Sequence, residues 1–299
     1  MDSLDTSEQT TSLQDSAAKK GRRVQFRVHP LQVLGIVALL VIWEAAAFYV
    51  MNNNPERGKD ILPSIESVFG ESLPQLATFY GFGMGGSYAG AISDYPKAFA
   101  VIAFHSGWTI LRLLAGTLLG AFLGILVGLA MSWSVILRAM VQPVILLLRT
   151  IPILALIPLF LAWFGGREVG NIVYIAFAVF SILVINTIEA VRNVPPIYID
   201  YARTMGASRA QIYRTVIIPA IVPELTGGIR VVLGLAFAIT LAAEYLFAQS
   251  GLGRIMILSE RFLFTGRMIV VVILFMIYSV LLSALFLRLS RRMTRWQPN

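Results

Sequence analysis

Charged side chains are scarce in this sequence. Of 299 residues only 13% are Asp, Glu, Lys or Arg, about half the usual share in a soluble domain. So few charges argue against an ordinary soluble enzyme and against a nucleic-acid-binding domain. Cysteine is absent, which excludes disulfides, thiolate catalysis and Cys-ligated metals. With 57% hydrophobic residues, the chain is predicted to be an integral membrane protein.

Long apolar runs make up most of the chain. A membrane-spanning helix needs about 20 mainly apolar residues, because lipid offers no partner for an unpaired backbone group. Runs of this kind predict an all-α, polytopic membrane protein with about six transmembrane helices. The predicted spans are 31–51, 108–131, 141–164, 171–188, 224–248 and 268–289. A cleaved signal peptide is the alternative for the first span, although its apolar run continues past the small residues at 45–47.

The spans divide the chain into five parts. Residues 1–28 are polar and basic, and we predict a disordered cytoplasmic tail there. The first transmembrane helix takes up 29–51 and an extracytoplasmic loop 52–104. A core domain covers 105–290, and 291–299 form a basic cytoplasmic tail.

Lysine and arginine are unevenly distributed over this topology. With the N-terminus inside, fourteen fall in cytoplasmic segments and seven in outer segments. Cytoplasmic loops of membrane proteins carry such an excess. We therefore predict that both termini are cytoplasmic, and we interpret the net charge of +8 as a sign of topology and anionic lipid contact rather than of nucleic-acid binding.

Signals for enzymatic chemistry are weak. Residues 81–86 match G-x-G-x-x-G, but no strand precedes them, so we interpret them as a flexible loop. The G-x-x-x-x-G-K-[ST] pattern is absent from the sequence, so no nucleotide site is expected in this chain. The two histidines, His29 and His105, are isolated in sequence from each other and from carboxylates. We predict no metal site, no cofactor in this chain and no enzymatic activity.

A stripe of glycines runs along the second predicted span. Its members are Gly116, Gly120, Gly124 and Gly128. Small residues at this spacing let a neighbouring helix approach to backbone contact. Close packing within one subunit is the favoured interpretation, and a dimer face or a pathway wall is the alternative.

Charged residues inside spans need a reason, because each costs about 2.5–3.5 kcal/mol at the centre of a span. Arg112 is expected near the outer end of its helix. Arg149 lies well inside its span, just before Pro152, where a proline frees backbone carbonyls. We predict Arg149, Thr150, Pro152 and Glu244 as possible pathway residues. A structural ion pair is the equal alternative for Arg149, and the outer interface is the alternative for Glu244.

The polar stretch 189–219 interrupts the apolar runs of the core. Two prolines at 195–196 are expected to end one helix and begin a short one, with Asp200 in its first turn. Gly206 breaks that helix, and Ser208 followed by Gln211 is a capping-box pattern that predicts a second short helix.

This short helical hairpin carries apolar side chains on a face that we expect to meet solvent. Pro219 and Pro223 are expected to bound it before the next span. Its apolar side chains are Tyr201, Met205, Ile212 and Tyr213. Exposed apolar groups need cover. A partner protein is the favoured source, and a lipid surface is the alternative.

The spacing of this stretch is specific. It has Asp-Tyr-Ala, then three residues, Gly, nine residues and Val-Ile-Ile-Pro, which place Asp200, Tyr201, Ala202, Gly206, Val216 and Pro219. This resembles the EAA loop of bacterial ABC importer permeases, which runs Glu-Ala-Ala, three residues, Gly, nine residues, Ile-x-Leu-Pro. Other stretches resemble nitrate/sulfonate/taurine/bicarbonate-type permeases, namely 148–152, 157–159, 163–165, 207–209, 243–244 and 250–253. The loop at 77–104 looks longer than is usual in that family.

The resemblance implies a type I ABC importer permease-like subunit in a bacterial inner membrane. Two such subunits, expected to be a homodimer, would form the pathway for a small anion or sulfonate-like organic nutrient. Separate ATP-binding cassette subunits would bind ATP and Mg²⁺, and an extracytoplasmic binding protein would deliver the solute. The stretch 189–219 would be the coupling loop that docks on the ATPase. Its predicted coupling residues are Asp200, Tyr201, Ala202, Met205, Gly206, Ser208, Arg209, Ile212, Tyr213, Val216 and Pro219.

A self-sufficient secondary transporter or channel is the alternative function. It would be expected to show repeated halves and buried acidic ligands in mid-span, and neither is evident in the sequence. The arginines of the 189–219 stretch could pair with acidic groups on an ATPase or lie over lipid. They are Arg203, Arg209 and Arg214.

Overall fold

The protein is helical throughout the part that the structure describes. The structure is a computed structural model that describes residues 30–80 and 94–293, and none of these residues lies in a β-strand. In chain order the α-helices are α1 (Pro30–Asn53), α2 (Gly58–Ile61), α3 (Tyr95–Trp133), α4 (Val135–Thr150), α5 (Ile157–Phe164), α6 (Glu168–Arg192), α7 (Pro196–Thr204), α8 (Arg209–Ile212), α9 (Ile218–Phe247), α10 (Leu252–Arg261) and α11 (Thr265–Met293). The predicted all-α class is confirmed.

Several predicted segments lie outside the described residues. They are the tail at 1–28, the glycine-rich pattern at 81–86 and residues 294–299 of the basic C-terminal tail. The chain divides into two compact units, Met1–Tyr49 and Val50–Asn299. Most of α1 belongs to the first unit, and every helix from α2 onward belongs to the second.

The number of long apolar helices agrees with the predicted spans. In the described ranges, α1, α3, α6, α9 together with the turns before it, and α11 are long and apolar enough to cross a membrane. The pair α4 and α5 counts as a sixth span, bent by 91° at its break. This gives five or six spans, as the sequence predicts.

The third predicted span, 141–164, is not one helix, and its bend follows from its prolines. α4 ends at Thr150, and Ile151 is extended with φ −73° and ψ 124°. A residue before proline is pushed out of the helical region, and Pro152 itself has no N–H to donate. A 3₁₀ turn at Ile153–Leu156 then leads into α5, which has Pro158 in its first turn.

α3 and α9 also begin earlier than predicted. α3 starts at Tyr95, within the predicted loop 52–104, because the Asp94 side chain accepts a hydrogen bond from the Lys97 backbone N–H and caps the helix. The hydrogen bonds from Lys97 also lower the pKa of Asp94. α9 starts at Ile218, so the expectation that Pro219 and Pro223 bound the short helical hairpin before the next span is wrong. Pro219 occupies the first turn, where no N–H is needed, and Pro223 lies inside the helix.

The region predicted as a loop before α3 is largely helical where it is described. It contains α2, a π-helical turn at Ser67–Ser72 and a 3₁₀ helix at Pro74–Phe79. Leu76 and Phe79 are buried, and the Thr265 hydroxyl at the start of α11 donates to the Asp60 carbonyl.

The glycine stripe of α3 packs against α6. A Cβ added at Gly116 would lie 2.6 Å from the Ile175 Cβ, and one at Gly128 would lie 2.6 Å from the Thr187 Cβ. The residue numbers of the contacted positions in α6 rise together with those of the glycines in α3, so the two helices run parallel. At Gly120 and Gly124, too, an added Cβ would collide with α6 atoms. The stripe therefore serves packing within one chain, which joins a buried apolar core shared by α3, α5, α6 and α9.

Candidate functional site

The first half of the 189–219 segment is a short helix with a defined end. α7 begins at Pro196 after an extended Pro195. It ends in a Schellman motif, in which the Ala207 N–H bonds the Ala202 carbonyl at 3.0 Å and the Gly206 N–H bonds the Arg203 carbonyl at 2.9 Å. Gly206 has a φ of +79°. This left-handed conformation is costly for any residue with a Cβ, so the glycine sets the sharp turn.

The second half begins with the predicted capping box. The Ser208 side chain accepts from the Gln211 backbone N–H, and the Gln211 side chain accepts from the Ser208 N–H. The prediction of a separate second short helix is wrong, however. α8 continues through a π-helical turn at Tyr213–Ile217 directly into α9, so this half is the first part of a membrane helix.

Apolar side chains project from α7 and from Met205, the residue that caps its C-terminal end. Ile197, Tyr201 and Met205 are 68%, 67% and 72% exposed. They recur every four residues and therefore share one face of the helix. Beside them lies a groove of about 610 Å³ whose lining is apolar apart from hydroxyl groups. Asp200 lies in the second turn of α7 rather than in the first, and it pairs with Arg203 at 3.3 Å.

The structure separates the predicted apolar set into two groups. Tyr201 and Met205 are exposed, whereas Ile212 is buried and Tyr213 is half-buried. Ile212 packs in an apolar cluster with the end of α6 and the start of α9, and Ala202, Tyr213 and Val216 lie against this cluster. The interpretation that Ile212 and Tyr213 face solvent is therefore wrong, because the second half of the segment turns this face toward the core.

Arg209 contacts α3. Its guanidinium donates to the backbone carbonyl of Trp133 and lies over the indole ring, 4.7 Å from the ring centroid. Arg209 therefore has a contact within its own chain, and its pairing with an ATPase or with lipid stays a prediction.

A buried cluster of charges around Arg112 is the largest feature that sequence reasoning missed. Arg112 is fully buried. It bonds Glu168 at 2.5 and 2.7 Å, Glu244 at 2.7 Å, and the carbonyl and hydroxyl of Ser250 at 2.7 and 2.6 Å. These five bonds match the five donors of a guanidinium. Together with Thr109, these residues form the Arg112 cluster, which ties α3 to α6 and to the link between α9 and α10.

Glu244 belongs to this cluster and not to an open pathway surface. Its side chain is fully buried. One carboxylate oxygen accepts from Arg112, and the other accepts from the Thr109 hydroxyl at 2.8 Å and from the Gly253 N–H at 3.0 Å. His105, one helical turn before Thr109 on α3, accepts from the Gly251 N–H at 2.9 Å. The signal for this cluster was two opposite charges inside predicted spans, which usually pair with one another.

The other predicted pathway residues lie at the bend between α4 and α5. Arg149, Thr150 and Pro152 are exposed, and the Thr150 hydroxyl donates to the Leu147 carbonyl at 2.7 Å. A neighbouring apolar cavity of about 520 Å³ lies between the 3₁₀ turn at Ile153–Leu156, α6, α9 and α10. Because Glu244 is buried elsewhere, the four predicted residues do not form one site.

Within residues 30–80 and 94–293, no group of three or more His, Asp or Glu side chains is arranged to hold a metal ion.

Comparison with known proteins places this architecture in a family. A family model described as "Binding-protein-dependent transport system inner membrane component" matches residues 116–295. The chain is 33% identical over 203 residues to the taurine transport system permease protein TauC of Escherichia coli (strain K12), covering 67% of this chain and 74% of that protein. It is 33% identical over 193 residues to the putative aliphatic sulfonates transport permease protein SsuC of Bacillus subtilis (strain 168), covering 64% and 70%.

A solved structure shares the fold. The chain resembles a structure described as inward facing conformations of the MetNI methionine ABC transporter with a TM-score of 0.56, at 20% identity, covering 67% of this chain and 98% of that chain. The family match spans more than half of the chain and includes the 189–219 segment and the Arg112 cluster's Glu168, Glu244 and Ser250. The chain therefore belongs to the binding-protein-dependent inner membrane transport components, and it is a permease subunit of an ABC importer.

Proposed function

We propose that this permease subunit couples import to ATP hydrolysis by a separate subunit through the 189–219 segment. The supporting observation is the exposed apolar face of α7, formed by Ile197, Tyr201 and Met205. A short helix between two long apolar helices lies at the edge of a membrane domain, where an exposed apolar face marks a contact with a protein or with the membrane surface, and we assign it to the ATPase. The groove beside α7 offers space for apolar side chains of the ATPase. That ATPase, and not this chain, binds ATP and Mg²⁺.

The proposed topology places both termini and the 189–219 segment in the cytoplasm. The distribution of Lys and Arg supports it, with fourteen on the cytoplasmic side and seven outside. In this orientation the Arg112 cluster lies toward the outer side, about 30 Å along α3 from Trp133. An extracytoplasmic binding protein delivers the solute on this side, in keeping with the description of the family as binding-protein-dependent.

The proposed assembly contains two copies of this chain. Large apolar side chains near the bend between α4 and α5 are exposed in a single copy, among them Leu147 at 69%, Leu154 at 63% and Trp163 at 66%. A second copy covers this surface, and the pathway runs between the copies past Arg149, Thr150 and Pro152.

The proposed solute is a small anionic nutrient of the sulfonate or organic-acid type. The names of two relatives, a taurine permease and an aliphatic sulfonates permease, support this class. The exposed guanidinium of Arg149 supplies a positive charge beside the bend that suits an anion.

Uptake by reconstituted complexes tests the proposal. Liposomes that contain this chain and its ATPase, supplied with the binding protein, are expected to accumulate taurine or an alkanesulfonate with ATP, whether or not an ionophore is present. Uptake by this chain alone, driven by an ion gradient, would contradict the proposal. Met205→Gln is expected to weaken ATPase binding about tenfold. Ile136→Gln is the matched control, because Ile136 is equally exposed, at 75%, but lies on α4.

A further inference from the structure

Two side chains from the start of the α8–α9 helix contact one residue at the end of α3. The Arg209 guanidinium donates to the Trp133 carbonyl and lies over the Trp133 ring at 4.7 Å. Tyr213 meets the same ring edge-on, with the centroids 5.0 Å apart, and its hydroxyl donates to the Leu129 carbonyl at 2.6 Å. Trp133, Arg209 and Tyr213 together are named the Trp133 clamp.

Simple physical reasons make the clamp stiff. Arg209 and Tyr213 are four residues apart, so they lie on one face of their helix. The last carbonyls of α3 lack partners within the helix and carry partial negative charge, which a guanidinium neutralises. A cation over an indole face adds a further attraction. Backbone, ring and hydroxyl contacts thus hold the same two elements together.

The two halves of the 189–219 segment have different surroundings. α7 has its apolar face exposed, whereas Arg209 and Tyr213 hold the second half on α3. Between the halves lie the Schellman motif at Gly206 and the capping box at Ser208, and both fix the backbone through hydrogen bonds. A displacement of α7 is therefore carried across the turn to Arg209 rather than absorbed by it.

We propose that the Trp133 clamp is the joint that passes movement of the 189–219 segment to α3, and that its three members are positioning residues for import. The inference rests on the proposed function, because the ATPase is the source of the movement. The end of α3 then follows the segment as one body, and the packed glycine stripe carries α6 with it.

The test measures solute imported per ATP hydrolysed in the reconstituted complex. Trp133→Leu and Arg209→Met are each expected to lower this ratio about tenfold, while ATPase binding and the rate of ATP hydrolysis stay within about twofold of the unaltered chain. Tyr213→Phe keeps the ring and loses only the hydroxyl, so a smaller loss is expected.

Arg138→Met is the matched control. Arg138 also donates to a carbonyl in the last turn of α3, that of Met131 at 3.2 Å, but it belongs to α4. If the clamp only capped the end of α3, Arg138→Met would lower the import ratio as much as Arg209→Met does. A ratio close to that of the unaltered chain is expected instead.

Spin labels give a second readout. The chain has no native cysteine, so labels at Thr204→Cys and Leu126→Cys are uniquely placed on α7 and α3. The distance between them is expected to stay constant between ATP-free and ATP-bound complexes, and to change with ATP once Trp133→Leu is added.

Two results would overturn the inference. One is an unchanged import ratio in Trp133→Leu and Arg209→Met, and the other is a loss of ATPase binding in step with the loss of import. A failure of the proposed function looks different, because the unaltered chain would then show no ATP-dependent uptake. That result would overturn the proposed function and this inference together.

Discussion

The two carboxylates that bind Arg112 differ in their surroundings, and the difference decides what each contributes. The Glu244 side chain is fully buried, whereas that of Glu168 is 42% exposed. Removing one partner of a buried ion pair leaves an uncompensated charge in a medium that cannot solvate it. Water can replace part of the interaction at Glu168. Arg112 therefore depends strongly on Glu244, whereas water can partly replace Glu168.

Substitutions at these carboxylates test this difference. Glu244→Gln is expected to lower the free energy of unfolding by about 3–5 kcal/mol, and Glu168→Gln by clearly less, as measured by denaturation in detergent. Glu224→Gln is the control, because Glu224 is exposed and bonds Asn193 in another part of the chain. Equal losses for Glu244→Gln and Glu168→Gln would show that burial does not separate the two partners.

The sequence indicates these charges but not their pairing. Arg112 and Glu244 are 132 residues apart in the chain, and only the packed helices bring them together. The expectation that Arg112 lies near the outer end of its helix, where water could solvate it, is wrong, because α3 starts at Tyr95 and Arg112 lies near its middle. The turn at Gly206 and the cap at Ser208 were predictable, because each depends on residues within five positions.

At the scale of helices, the contact between α3 and α6 depends on missing side chains. An added Cβ at Gly120 would lie 2.8 Å from the Val179 Cβ and 3.0 Å from the Ala176 Cα. Backbone cannot move aside as a flexible side chain can. Gly120→Ala is therefore expected to destabilise the protein by about 1–3 kcal/mol, measured as a lower unfolding temperature. Gly107→Ala on the same helix, where an added Cβ meets nothing within 4 Å, is expected to have no such effect.

Prolines explain both the successes and the errors in predicting helix ends. A proline inside an apolar run permits a kink, a break or a helix start. Pro152 breaks its span, while Pro219 begins a helix and Pro223 lies within one. The choice depends on whether neighbours satisfy the freed backbone carbonyls, which is a tertiary property that local spacing does not contain.

Across the whole molecule, α3 connects the 189–219 segment to the Arg112 cluster. It has 39 residues and is about 58 Å long at 1.5 Å per residue. Trp133 anchors the 189–219 segment at one end, and Arg112, near the middle of the helix, binds Glu168 of α6 and Glu244 of α9. A continuous helix bound at both places can transmit a displacement between them, whereas a bent pair such as α4 and α5 cannot do so in a straight line.

Combining one change at the Trp133 clamp with one at the Arg112 cluster tests this transmission. Glu168→Gln alone is expected to lower solute imported per ATP about threefold, because α3 then moves with a weaker hold on α6. With Trp133→Leu present, the movement never reaches Glu168, so the double variant is expected to match Trp133→Leu alone. Losses in unfolding free energy should instead add to within about 0.5 kcal/mol, since the two sites are distant. Import losses that multiply in the double variant would show that the Trp133 clamp and the Arg112 cluster act independently, and α3 would then be a scaffold rather than a transmitting element.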